Sequence, residues 1–272
     1  MTTVFSNILL AALLNTAPVQ LQNDSFIVGF ASYQEADYSA AHDMWEHLAL
    51  KGDARSQYAL GVMYELGQGV GHDYKIAAKW YTKAADQGYA MARNNLAMLY
   101  EAAQGVPQDF ETAKKYYRLA AEQGLPSAQY NYALMHYEGA GVTQDYSVAR
   151  EWLTKAADQG FSSAQYNLGV MYHKGHGVKQ NHVEAAKWFI NAINTGGTKA
   201  QTGLRLLLQD KNKGITSAKA DVYLSPNASA DVITHLEPGQ RVYTISQEGS
   251  WVAVLLHDQE TLGWINQKLL DK

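Results

Sequence analysis

The sequence predicts a mostly α chain, a solenoid of helix-turn-helix repeats, followed by a small all-β barrel. Three observations predict it. Ala41, Ala77, Ala113, Ala149 and Ala185 recur every 36 residues, as do Gly52, Gly88, Gly124, Gly160 and Gly196. Between those columns Gly69, Gly105, Gly141 and Gly177 keep the same spacing, each followed by a valine (Val70, Val106, Val142, Val178). Beyond Leu208 the helical period gives way to short runs of Val, Ile, Tyr and Trp between turn residues.

The repeat units run over 53–88, 89–124, 125–160 and 161–196. The first helix of unit one spans about Ala54 to Glu65, with Ser56, Leu60, Met63 and Tyr64 on one face at helical spacing. The same face carries Ala92, Leu96, Leu99 and Tyr100, then Ala128, Tyr132, Met135 and His136, then Ala164, Leu168, Met171 and Tyr172. Gly61, Ala97, Ala133 and Gly169 share a column. A tiny residue inside a helix costs propensity, so this column predicts close helix approach. A Gly-x-Gly-Val turn then reverses the chain, and Asp73, Asp109, Asp145 or Asn181 stands where an N-cap is needed. The second helix presents Ala77, Trp80, Ala84 and Ala85 as its inner stripe; Tyr116, Trp152 and Trp188 follow Trp80. If Trp80 is buried, Trp80→Ala costs about 3–5 kcal/mol.

Neither helix buries its apolar stripe alone, so neighbouring units stack into one continuous core. A shorter hairpin is expected over 24–52, where Gly29, Tyr33, Asp37, Tyr38, Ala41 and Trp45 fit, and a capping helix over 197–211 with Ala200, Leu204, Leu207 and Leu208 inward. Residues 212–217 read as a linker, and 218–272 as the β domain. Expected strands are Ala220–Leu224, Asp231–Leu236, Arg241–Gln247, Trp251–Leu256 and Leu262–Ile265.

Composition bounds the function. Hydrophobic residues make up 47% of the 272, enough for a real core. The net charge is −4, with no basic block. A nucleic-acid partner is therefore not expected, because phosphate neutralisation needs clustered Lys and Arg. Cysteine is absent, which excludes disulfides, thiolate zinc sites and cysteine nucleophiles. Val4 to Leu14 is an apolar run of signal-peptide length, too short for a membrane span of about 20 residues. Segment 1–23 thus reads as a degenerate or truncated export signal, without a basic start or a good cleavage site, the alternative being an N-terminal arm packing on the solenoid, and the expected location is periplasmic or secreted.

The run Ala164-Gln165-Tyr166-Asn167-Leu168-Gly169-Val170-Met171-Tyr172, with Gly175-x-Gly177-Val178 and Ala185-Ala186-Lys187-Trp188, resembles the Sel1-like repeat, a relative of the tetratricopeptide repeat. The resemblance covers 53–196 and implies a right-handed α-solenoid. In the β region, Leu236-x-Pro238-Gly239, Trp251-Val252-x-Val254 and Gly263-Trp264-Ile265 resemble a bacterial SH3-like domain. Its opening departs from that family, with Asp221-Val222-Tyr223-Leu224-Ser225-Pro226 in place of the usual motif. This departure weakens any transfer of cell-wall binding.

No catalytic constellation is found: no Ser-x-x-Lys, no His-Glu-x-x-His and no phosphate-binding Gly-x-x-x-x-Gly-Lys. A non-enzymatic protein without cofactor or metal is expected. His173, His176 and His182 gather around the fourth turn, but they occupy columns held by Glu65, Gln68 and Tyr74 in unit one, which marks turn-surface variation. The resemblance implies a groove for a peptide or protein on the first helices. By spacing, its residues are Arg55, Tyr58, Val62 and Glu65, then Met91, Asn94, Met98 and Glu101, then Tyr130, Leu134 and Tyr137, then Tyr166, Val170 and His173; the alternative for Tyr58, Tyr130 and Tyr166 is scaffold packing between repeats. The expected role is a protein-interaction scaffold of the bacterial envelope. The rival readings are a peptidoglycan-binding protein anchored through the SH3-like domain, and an immunity protein neutralising a secreted toxin or lipase.

Overall fold

The computed structural model describes residues 25–208, 213–256 and 261–271. The expected export signal in 1–23 lies outside the described residues. Eleven α-helices come first among them: α1 (Ser25–Gln34), α2 (Tyr38–Leu50), α3 (Ala54–Leu66), α4 (Tyr74–Asp86), α5 (Ala90–Glu101), α6 (Phe110–Glu122), α7 (Pro126–Glu138), α8 (Tyr146–Asp158), α9 (Ser162–Lys174), α10 (His182–Asn194) and α11 (Thr198–Leu208). Strands follow: β1 (Lys213–Thr216), β2 (Ala220–Tyr223), β3 (Val232–Leu236), β4 (Arg241–Glu248), β5 (Trp251–Leu256), β6 (Leu262–Asn266) and, after a 3₁₀ turn, β7 (Leu270–Asp271). No helix among the described residues is long and apolar enough to cross a membrane. The fold is an α-solenoid of repeats followed by an antiparallel sheet. The chain divides into two compact units, 1–128 and 129–272, so the division falls inside the repeat array and not at its end.

Each second helix of the repeats begins on the residue the sequence points to. Asp73, Asp109, Asp145 and Asn181 are N-caps whose side chains accept backbone N–H groups of the first turn. This satisfies donors that would otherwise lack partners. The turn glycine is required twice over. Gly69, Gly105 and Gly177 have φ of 73°, 71° and 66°. A Cβ there would lie 2.5 Å from Tyr38, 2.3 Å from Tyr74 and 2.6 Å from Tyr146 respectively, each the first residue of the preceding unit's second helix.

In the first unit the core gathers Trp45, Leu60, Met63, Tyr81 and Leu96, all fully buried. The inner aromatic of the second helix is thus Tyr81 and not Trp80. Ala77, Ala78, Tyr81, Ala84 and Ala85 form the buried stripe, centred one residue further on than expected. Trp80 and Tyr81 both fit helical spacing with Ala77 and Ala84, and packing selects the second. Trp80 lies half-buried, its ring covered by the Lys83 ammonium at 4.1 Å. The cost of about 3–5 kcal/mol for losing a buried aromatic therefore belongs to Tyr81. The same shift places Tyr117, Leu153 and Phe189 inside.

The small column behaves as predicted. A Cβ on Gly61 would meet the Tyr81 ring at 2.5 Å, and one on Gly169 the Phe189 ring at 2.6 Å. The hairpin α1–α2 uses the same device, with Gly29 under Trp45 at 2.7 Å.

The second unit holds the sheet, in the order β3-β2-β6-β5-β4-β1-β7. Segment 212–217, expected as a linker, contains β1, which pairs with β4 in the register Gly214↔Val242. Strand β5 is buried from Val252 to Leu256, and its alternate residues enter different cores. Val252, Val254 and Leu256 join Val222, Leu236 and Ile265 within the β region. Ala253 and Leu255, with Ile245 and Trp264, pack instead among Val183, Phe189, Ile190, Leu204 and Leu207 of α10 and α11. The sheet and the last repeat thus share one core.

Candidate functional site

In the first unit the candidate face is built by α3 and α5. Burial removes part of it from solvent. Tyr58 is 4% exposed, its ring set 5.7 Å from Tyr81 and 5.3 Å from Tyr89. Val62 and Asn94 are buried too. These three side chains serve the scaffold. Glu65 and Glu101 are half-buried and accept hydrogen bonds from the Tyr81 and Tyr117 hydroxyls. Burial raises the Glu65 carboxyl above the usual range, and the Tyr81 hydroxyl pulls it back in part. Arg55 is tied to Asp53 at 3.3 Å, with its guanidinium 4.7 Å over the Phe26 ring. Met91 is half-buried, and Met98 is 44% exposed, the most open apolar position of this face.

In the second unit α7 and α9 present Tyr130, Leu134 and Tyr137 beside Tyr166, Val170 and His173, all partly exposed. A hollow of about 230 Å³ opens here, lined by Tyr130, Ser163, Tyr166, Asn167, Thr198 and Lys199, among others. Two aromatic rings, hydroxyls, an amide and one ammonium face it. Burial pushes the Tyr130 phenol up, and a hydrogen bond with Asn167 offsets part of this. Tyr137 is held by the Nδ1 of His176 at 2.8 Å, while Tyr146 stacks on the same imidazole at 4.8 Å.

The three turn histidines do not converge. The rings of His173 and His182 are 5.4 Å apart, whereas His176 engages the two tyrosines. Among the described residues no group of three His, Asp or Glu side chains could hold a metal ion. His136 sits half-buried with its ring edge-on to Tyr132 at 4.9 Å.

One column escaped the sequence reading. Gln57, Arg93, Gln129 and Gln165 recur every 36 residues. Gln57 donates to the Ala49 carbonyl at 3.0 Å and accepts from Gln87 at 2.7 Å. Gln165 donates to the Ala157 carbonyl at 3.1 Å and accepts from Thr195 at 2.7 Å. Arg93 Nε reaches the Ala85 carbonyl at 3.1 Å. These buried or half-buried groups of Gln57, Arg93 and Gln165 stitch α3, α5 and α9 to the end of the preceding helix. The spacing was visible; the partners, eight residues back and 30 ahead, were not.

Stacked helix pairs with a partly open first-helix face define a helical-repeat protein of the protein-interaction type. The Sel1 repeat model matches residues 54–89, 90–125, 126–161 and 162–196, and the chain belongs to this family. It is 37% identical to a protective antigen of uropathogenic Escherichia coli strains displaying an SLR fold, with a TM-score of 0.64 over 68% of this chain. It spans 40% of that antigen's length. It is 31% identical to a Sel1 repeat protein from Oxalobacter formigenes, with a TM-score of 0.64, covering 69% of this chain and 74% of that one. A more distant likeness, 19% identical with a TM-score of 0.48, is to the immunity protein Pa5087 of Pseudomonas aeruginosa, covering 71% of this chain and 74% of that one. Comparison with curated proteins gives no match.

Proposed function

We propose that this chain is a non-enzymatic interaction protein of the bacterial envelope that takes a protein partner on its first-helix face. One observation carries the reading: the hollow between α7, α9 and α11, walled by Tyr130 and Tyr166. Around it Leu134, Tyr137 and Val170 stay partly exposed. Amphipathic tyrosines around a recess are suited to anchor a partner side chain, because the ring supplies area and the hydroxyl a hydrogen bond. In the first unit Met98 offers a flexible apolar contact of the same kind. The apolar run Val4–Leu14 and the SH3-like resemblance of the sheet support the envelope location.

Photo-crosslinking tests the face directly. A photoreactive residue at Ser163 or Met98 is expected to trap the partner in cells, whereas one at the exposed Lys115 of α6 is not. Equal trapping at all three positions would overturn the assignment. Recovery of the chain only in the cytosolic fraction would overturn the location.

A further inference from the structure

We propose that the cleft between the last repeat turn and strand β4 is a second binding site, and that it takes an acidic peptide segment. The cleft measures about 570 Å³ and is lined by Arg150, Tyr172, Lys179, His182, Ser246 and Glu248, among others. Ligand pockets usually measure about 300–1,000 Å³. Arg150 comes from α8, Lys179 from the turn before α10, and Ser246 and Glu248 from β4.

The cleft is preformed, because its two walls share a core. Strand β4 carries a bulge: pairing runs Thr244↔Val254 and then Ser246↔Ala253, leaving Ile245 as the extra residue. Ile245 is buried among Phe189, Leu204 and Ala253. Ser246, opposite Ala253, and Glu248, two residues on, therefore face the helices.

Charge decides the ligand. The chain as a whole is acidic, with 26 Asp and Glu against 22 Lys and Arg. Yet Arg150 and Lys179 form no ion pair among the described residues. The nearest carboxylates in sequence are already engaged, Glu151 by Lys155 and Glu184 by Lys187, each at 2.7 Å. The lining therefore holds two fixed cations against one carboxylate, Glu248. Ligand carboxylates pair with Arg150 and Lys179, backbone N–H groups of the peptide donate to Ser246 and Glu248, and Tyr172 flanks the chain.

This site does not rest on the first-helix face. The Tyr130–Tyr166 hollow lies at the start of α9 and the cleft at its end. On α9 the hollow reaches Asn167 and the cleft begins at Tyr172, five residues or about 8 Å further along the axis, and the two share no lining residue.

The test uses the full chain and fluorescence anisotropy with a labelled peptide of alternating Asp and Gly, against its Asn and Gly counterpart. The Asp peptide is expected to bind at least about tenfold more tightly, and added salt to weaken it. Arg150→Glu and Lys179→Glu are each expected to weaken it about fivefold, and Glu248→Gln to strengthen it about twofold. All three positions are exposed, so circular dichroism should show unchanged folding. Equal affinity for the two peptides, indifference to both charge reversals, or no binding up to about 1 mM overturns the proposal. Loss of crosslinking at Ser163 with peptide binding intact would sink the first-helix reading and leave this one standing.

Discussion

Phe189 is gripped from two sides, and this permits a sharp test of the packing. A Cβ on Gly169 would come 2.6 Å from its ring, and one on Gly203 2.7 Å. The ring is 1% exposed and cannot step aside. Gly169→Ala therefore overpacks the helix contact, at about 1–3 kcal/mol. Alanine returns about 1 kcal/mol of helix propensity, so the net loss is about 0–2 kcal/mol. In a Phe189→Leu background the clash is gone and only propensity remains. The same substitution then stabilises by about 1 kcal/mol. The third repeat already carries this pairing, with Ala133 and Leu153 in one core. Urea unfolding of the four proteins, followed by circular dichroism, measures the coupling, expected at about 1–3 kcal/mol. If Gly169→Ala has the same sign and size in both backgrounds, the ring-on-glycine account is wrong.

Glu65 gives a pH signature. Its carboxyl is raised by burial, so its contribution to stability is full below the unfolded value and is lost as pH rises through the folded value. Glu65→Gln, still accepting from Tyr81, should raise the melting temperature at about pH 8 and change it little at about pH 4; a larger gain in acid refutes this. Tyr58→Ala should cost about 3–5 kcal/mol in urea unfolding, as for a buried aromatic, whereas Met98→Ala should cost under about 0.5 kcal/mol and weaken partner crosslinking instead. Gln165→Leu leaves the Ala157 carbonyl and the Thr195 hydroxyl without that amide and should cost about 1–3 kcal/mol. A neutral result would mean that the glutamine column only decorates the repeat junction.

The repeat was legible because its constraints are local and recur. A glycine that must adopt positive φ against the neighbouring unit, or an aspartate capping a helix, leaves the same letter at the same spacing. The choice between Trp80 and Tyr81 was not legible, since both satisfy the helical period and only the packed core separates them. Strand β1 was missed for a different reason: Lys213-Gly214-Ile215-Thr216 reads as a turn, and its strand character comes from pairing with β4, almost 30 residues away. Of the candidate face, the columns were readable but the depth of each side chain was not. Tyr58 and Tyr130 hold equivalent positions, yet the first is buried and the second partly open.

The core shared by α10, α11 and the sheet bears on how this gene can change length. An ordinary solenoid gains or loses copies at any joint, since each joint resembles the next. Here Val183, Phe189 and Ile190 already face Ile245, Leu255 and Trp264, so the fourth copy is specialised for its neighbour. A copy duplicated after 196 would separate those surfaces and strand both in water. One duplicated earlier in the array would meet only its own kind. A chain with an extra copy inserted upstream is therefore expected to fold, and one that separates the last repeat from the sheet is not.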